Sequence, residues 1–149
     1  DTNSFGTFDF QADASYLQST QRLSEFQPDL DRAGTLFNPP HFRARGGVTW
    51  KHQALTMSSF VSYMGGVDAL RRTPSVRVGS MTTADVTARY KVDGNSGILR
   101  GLDFIVSVQN IFNDKPSVIR TSSGLEAPYD STNYSAVGRF VSFGITKQW

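Results

Sequence analysis

From Thr7 to Tyr16 apolar and polar side chains alternate without a break: Phe8, Phe10, Ala12, Ala14 and Tyr16 hold the even positions, and Thr7, Asp9, Gln11, Asp13 and Ser15 the odd ones. Successive strand side chains point to opposite faces, so the segment predicts a β-strand with one apolar and one polar face. The same period returns along the chain. Phe42, Ala44, Gly46, Val48 and Trp50 stand against Arg43, Arg45, Gly47, Thr49 and Lys51. Leu55, Met57, Ser59, Val61 and Tyr63 make a third strand, with Phe60 among the polar positions Thr56, Ser58 and Ser62. A fourth runs from about Arg77 to Val92, carrying Val78, Ala84, Val86, Ala88 and Tyr90 on one face. A fifth has Leu102, Phe104, Val106 and Val108 against Asp103, Ser107 and Gln109, with Ile105 as an exception. The last places Val137, Val141, Phe143, Ile145 and Trp149 opposite Gly138, Ser142, Gly144, Thr146 and Gln148, with Arg139 as a second exception.

The connections sharpen this picture. A four-residue Lys51-His52-Gln53-Ala54 turn would set Trp50 beside Leu55. Strands one and two are joined by roughly 24 residues and strands five and six by more than about 20, far above ordinary hairpin loops. Long loops at one end of a sheet and short turns at the other are the arrangement of outer-membrane β-barrels. Each segment is near the roughly 9–11 residues that a tilted strand needs to cross the hydrocarbon. Aromatic residues gather at segment ends, among them Tyr16, Phe42, Trp50, Tyr63, Tyr90, Phe112 and Trp149, as in interfacial girdles. A soluble antiparallel sandwich would also alternate, but every strand here has a polar opposite face and no spare apolar segment is left to cover the other. About six strands fall short of the roughly eight that close the smallest single-chain barrel. Open edges in lipid would leave backbone groups unsatisfied, so the pattern predicts part of a larger barrel.

Composition narrows the chemistry. The 149 residues are 38% apolar and 19% charged, with 11 Phe, no Cys and a net charge of +2. No 18-residue apolar run is present, so no helix is expected to span a bilayer. Without cysteine there is no disulfide framework, thiolate metal site or cysteine nucleophile. An excess of two basic residues is too weak to argue for nucleic acid. His41 and His52 are the only histidines, one ahead of a strand and one in a turn, and neither has the convergent partners of a metal or catalytic site. Neither phosphate-loop spacing nor a nucleophile with its base occurs, so no enzyme activity and no cofactor are expected.

Three stretches carry a family resemblance. Val108-Gln109-Asn110-Ile111-Phe112-Asn113-Asp114-Lys115-Pro116 resembles the penultimate-strand signature of TonB-dependent outer-membrane receptors. Tyr134-Ser135-Ala136-Val137-Gly138-Arg139-Phe140-Val141-Ser142-Phe143-Gly144-Ile145 resembles their closing strand. Asn38-Pro39-Pro40-His41-Phe42-Arg43-Ala44-Arg45 is similar to the Pro-led start of an earlier strand. The resemblance implies that residues 1–149 are an all-β, antiparallel up-and-down meander of transmembrane strands, the C-terminal part of a roughly 22-stranded barrel of the plugged size class. It further implies an active-transport receptor for a scarce ligand such as a ferric siderophore or another metal chelate, energised through TonB. Contact with TonB would run through an N-terminal plug that has no counterpart in these residues. The other implied partners are the outer-membrane bilayer and the barrel-assembly machinery. That machinery would read Val141, Phe143, Ile145 and Trp149, an alternation that Lys147 interrupts.

Two groups of site residues follow. By parity Asp9, Asp13, Arg43, Arg45, Lys51, Asp85, Arg89, Lys91 and Asp103 fall on the polar face, where a lumen would hold them. Lipid exposure at mid-bilayer would cost each Arg or Lys about 2–4 kcal/mol. Asp9 or Asp13 is expected to pair across strands with Arg45 or Lys51. The resemblance places ligand contacts on the extracellular loops, where the candidates are Arg22, Asp29, Asp31, Arg32, Arg71, Arg72, Arg120, Tyr129 and Tyr134. Basic and aromatic residues there suit an anionic chelate. Two other readings share the alternation: a passive or oligomeric porin-like barrel, and a soluble β-sandwich binding module.

Overall fold

The fold comes from a computed structural model that describes residues 5–22, 24–70, 74–92, 99–119 and 126–148. Among the described residues the chain is all-β, in ten strands: β1 (Thr7–Tyr16), β2 (Thr20–Gln21), β3 (Leu30–Asp31), β4 (Phe42–His52), β5 (Leu55–Met64), β6 (Val67–Ala69), β7 (Val76–Val78), β8 (Met81–Lys91), β9 (Leu102–Gln109) and β10 (Phe140–Lys147). The six long strands form one antiparallel sheet in the order β1-β4-β5-β8-β9-β10, so each long strand pairs with the next one along the chain. The short strands form two ribbons, β2 with β3 and β6 with β7, both inside the long connections.

Register carries the alternation across the whole sheet. Phe8 pairs Trp50, Trp50 pairs Met57, Met57 pairs Ala88, Ala88 pairs Val106 and Val106 pairs Phe143. One step along, Phe10, Val48, Ser59, Val86, Val108 and Val141 make the next row. Because the side-chain period is 2, these rows fix one face as apolar, with Ser59 as its exception, and send every intervening residue to the other.

Three details differ from the sequence expectation. The β4–β5 turn holds only Gln53 and Ala54, so His52 pairs Leu55 and Trp50 pairs Met57. Gln53 sits at φ 50°, and this left-handed residue closes the chain in two positions instead of four. Faces are unchanged, because the register moves by two. The strand expected to run unbroken from Arg77 to Val92 is interrupted at Gly79-Ser80; Val76–Val78 turns away to pair β6 in the loop layer, while Met81–Lys91 stays in the sheet. The last strand begins at Phe140, because segment 134–139 is held by loop contacts and not by β9.

The connections after Tyr16, Met64 and Gln109 all leave from one end of the sheet. The molecule's small core lies among them: Val67, Val78, Met81 and Tyr134 are buried, with Leu36, Met64 and Ile119 packed against them. On the sheet's apolar face exposure is high, 80% at Phe10 and 65% at Phe143. On the polar face the Phe60 ring lies against Gly47, where a Cβ would stand 2.2 Å from it. At Gly101, just before β9, φ is +71° and a Cβ would meet the Gln148 carbonyl oxygen at 2.2 Å, so only glycine fits where this turn lies against the chain leaving β10.

Candidate functional site

The polar face is built from short strand-to-strand links. Lys51 Nζ donates to Asp9 Oδ2 at 2.8 Å, one of the pairings that parity suggested. Asp13 lies opposite Arg45 in register, yet Arg45 turns the other way. Its Nη1 donates to Ser62 Oγ at 2.9 Å and its guanidinium lies 4.6 Å from the Phe60 ring centroid. This contact accounts for a phenylalanine on the polar face, since a ring stacked under a guanidinium is a favourable partner there. Arg89 Nε donates to both carboxylate oxygens of Asp103 at 2.9 Å, and its Nη2 reaches Asp103 as well. Arg89 pairs Ile105 in register, so this ion pair is diagonal, and Lys91 stands directly opposite Asp103. Hydroxyl pairs fill the space between charges, Thr49 with Ser58 at 3.0 Å and Thr87 with Ser107 at 2.8 Å.

Asp85 has a different task. Its Oδ1 accepts the Asn110 N–H at 2.9 Å where β9 ends. Asn110 Nδ2 donates to the Asp114 carbonyl at 2.8 Å, and its Oδ1 accepts the Asp114 N–H at 2.9 Å. Asn113 Oδ1 accepts the Arg139 N–H at 2.9 Å just before β10. Asn110 and Asn113 have φ of 49° and 57°, a region that asparagine tolerates better than most residues. The Asn110-Ile111-Phe112-Asn113-Asp114 run therefore stops one strand and positions the start of the next.

The loop end is locked by a residue that the sequence reading did not single out. Asp130 is fully buried. Its carboxylate accepts N–H groups of Phe37, Thr132 and Asn133, each at 3.2 Å, and Nδ2 of Asn133 at 2.8 Å. Asn133 Nδ2 also donates to the Asn38 carbonyl at 2.7 Å, and its Oδ1 accepts from Arg43 Nη2 at 3.0 Å. Tyr134 completes the clasp by donating its hydroxyl to the Gly65 carbonyl at 2.8 Å. Burial, with the Asp130 charge beside it, pushes that hydroxyl above the usual phenol range and keeps it a donor. Tyr134, a loop candidate for ligand contact, is thus 5% exposed and belongs to the core. Tyr134→Phe is expected to cost about 1 kcal/mol, the net worth of one neutral hydrogen bond, as measured by urea unfolding in detergent micelles.

The remaining loop candidates are spread out. Arg22 pairs Asp29 at 2.7 Å, Arg32 Nε donates to Gln21 Oε1 at 3.1 Å, and Asp31 lies 3.7 Å from His41 Nε2. These sit around β2 and β3, whereas the half-buried Tyr129 lies next to the Asp130 clasp in sequence. Arg71, Arg72, Arg120 and Trp149 lie outside the described residues. Val141, Phe143 and Ile145 are exposed on the apolar face. Among the described residues no group of three His, Cys, Asp or Glu side chains converges on a metal position. No family model, curated protein or solved structure matches the chain.

Proposed function

We propose that this chain is a wall segment of an outer-membrane β-barrel, with its apolar face toward lipid and its polar face toward a water-filled or plugged lumen. The observation that carries the reading is the unbroken two-faced register over six strands. Ion pairs and hydroxyl pairs occupy one face, and exposed aliphatic and aromatic side chains the other. Aromatics mark both levels of the apolar face. Tyr16 pairs Phe42 at the loop end, and Phe42 lies 5.9 Å from Tyr63. At the turn end Phe8, Trp50, Tyr90, Phe104 and Phe143 share two neighbouring rows. Ten residue steps from Phe42 to His52 span about 34 Å along the strand, or roughly 25 Å across a bilayer at a tilt near 40°. That matches the apolar band of such barrels.

Within this reading the chain forms the C-terminal wall of a TonB-dependent receptor that takes up a scarce ligand such as a ferric siderophore. Support comes from the Val108–Pro116 and Tyr134–Ile145 stretches, whose residues set the turn between the last two long strands. A soluble sandwich is disfavoured by the exposure of the apolar face. A passive barrel shares the wall but has no plug.

Two experiments separate these. Diluted from urea into phosphatidylcholine vesicles, the chain is expected to float with lipid and gain strand circular dichroism, and in plain buffer to aggregate. A soluble monomer in buffer that ignores vesicles would overturn the membrane reading. Sequencing the coding region upstream of Asp1 tests the receptor: a plug and further alternating strands are expected, whereas a start codon and signal directly before Asp1 contradict it.

A further inference from the structure

Two neighbouring rows of the polar face carry a cavity at the loop end. Arg43 pairs Met64 and Met64 pairs Met81; in the next row Arg45 pairs Ser62 and Ser62 pairs Thr83. Segment 133–135 folds over these rows and leaves a cavity of about 220 Å³ between Met64, Met81, Tyr134, Ser62, Thr83 and Asn133. Its apolar part is two thioethers and a tyrosine ring. Methionine sulfur packs favourably against aromatic rings, and an apolar cavity of about 150 Å³ already holds benzene.

Two cations stand beside it. Arg43 Nη2 donates to Asn133 Oδ1 at 3.0 Å and Arg45 Nη1 to Ser62 Oγ at 2.9 Å, so each guanidinium is bonded to a residue of the cavity wall. Burial raises the Tyr134 hydroxyl and the Arg43 charge pulls the other way, so the field of that cation is felt at the wall. Both arginines are exposed, and among the described residues neither is paired with a carboxylate. Asp130 is taken up by its own N–H donors, and Asp13 faces Arg45 in register without bonding to it. The other N–H donors of the two forks are open to an outside anion. Both forks are also held in place beforehand: Phe60 lies 4.6 Å from the Arg45 guanidinium, and Asn133 is fastened to Asp130 at 2.8 Å. Such preorganisation lowers the cost of binding.

We propose that this cavity binds an aromatic carboxylate, its ring between Met64, Met81 and Tyr134 and its carboxylate on the guanidiniums of Arg43 and Arg45. An inorganic anion would leave the apolar floor unfilled, and a neutral ring would leave the guanidiniums to water. The site goes beyond the wall reading: it needs the polar face open to water and does not depend on transport.

The three methionines make the test local, since Met64 and Met81 line the cavity and Met57 lies on the apolar face. The full chain, isotope-labelled at the methionine methyls and held in phosphatidylcholine nanodiscs, is titrated with benzoate at neutral pH by NMR. Saturable shifts are expected at Met64 and Met81, with Met57 still. R43Q and R45Q should each weaken benzoate about tenfold, the worth of one charge-assisted contact, and R45Q does so without touching the Asp130 clasp. K51Q, at the far end of the polar face, leaves affinity unchanged. Benzyl alcohol, the neutral analogue, and inorganic phosphate should each bind at least about tenfold more weakly than benzoate. Equal shifts at Met57, equal binding of benzyl alcohol or phosphate, or unchanged affinity in both arginine variants overturns the site and leaves the wall standing. A chain that stays out of the nanodiscs overturns the wall instead, and the same titration in buffer then decides the site.

Discussion

Val86→Arg is expected to abolish insertion of the chain into vesicles, whereas Thr87→Arg, one residue on, leaves it nearly intact. Val86 lies in the row of Phe10, Val48, Ser59, Val108 and Val141, midway between the two aromatic levels. If that row meets lipid, an arginine there costs about 2–4 kcal/mol, which lowers the inserted fraction by roughly 30- to 1,000-fold. Thr87 faces the other way, where its hydroxyl meets Ser107 at 2.8 Å. Losing that contact costs about 1 kcal/mol, and the new guanidinium stays in water. Flotation of the two variants side by side reads the difference. Equal behaviour of the pair would mean that the faces are not divided between lipid and water.

Asp130→Ala should release the loop end while sparing the sheet. The carboxylate is fully buried and takes three backbone N–H groups and one side-chain amide. Bonds to a charged acceptor are worth about 1.5–3 kcal/mol each, and the donors left behind lie in a closed environment, so a loss of about 3 kcal/mol or more is expected. Hydrogen exchange should then quicken at residues 35–41 and 126–139, with β4, β5 and β8 protected as before. Asn is the informative second variant: it keeps the shape and one acceptor oxygen, and should fall between Ala and wild type. Unchanged exchange in Asp130→Ala would show that the clasp does not hold the loops.

How much of this was legible in the chain depends on the range of the interaction. Alternation is a local property, so β1, β4, β5, β8, β9 and β10 and the division of their faces could be read directly. The β4–β5 register could not, because a two-residue turn is normally announced by Asn-Gly or Gly, and here Gln53 takes the left-handed conformation. Val78 and Ala84 are both even, so the alternation runs straight through Gly79-Ser80 and hides the point where β7 leaves for the loop layer. Among the charges, Asp9 and Lys51 were readable as neighbours. Arg45 was not, since its choice of Ser62 and Phe60 over Asp13 is settled by packing. The clasp joins Phe37 to Asp130, 93 positions apart. Nothing periodic connects two loops at that distance. The closest sequence cue is the Asp130-Ser131-Thr132-Asn133 run, the composition of a side-chain-capped turn.

The wall claim is tested most directly by nitroxide scanning in a bilayer, which the absence of native cysteine makes clean. Single cysteines at positions 102–109 and 140–147, spin-labelled after reconstitution into phosphatidylcholine vesicles, should alternate strictly. Phe104, Val106, Val108, Val141, Phe143 and Ile145 should be open to oxygen and closed to a water-soluble nickel chelate, and Asp103, Ser107, Ser142 and Thr146 the reverse. Uniform accessibility to the nickel reagent on both faces, or an oxygen profile without a period of two, would contradict a lipid-facing wall.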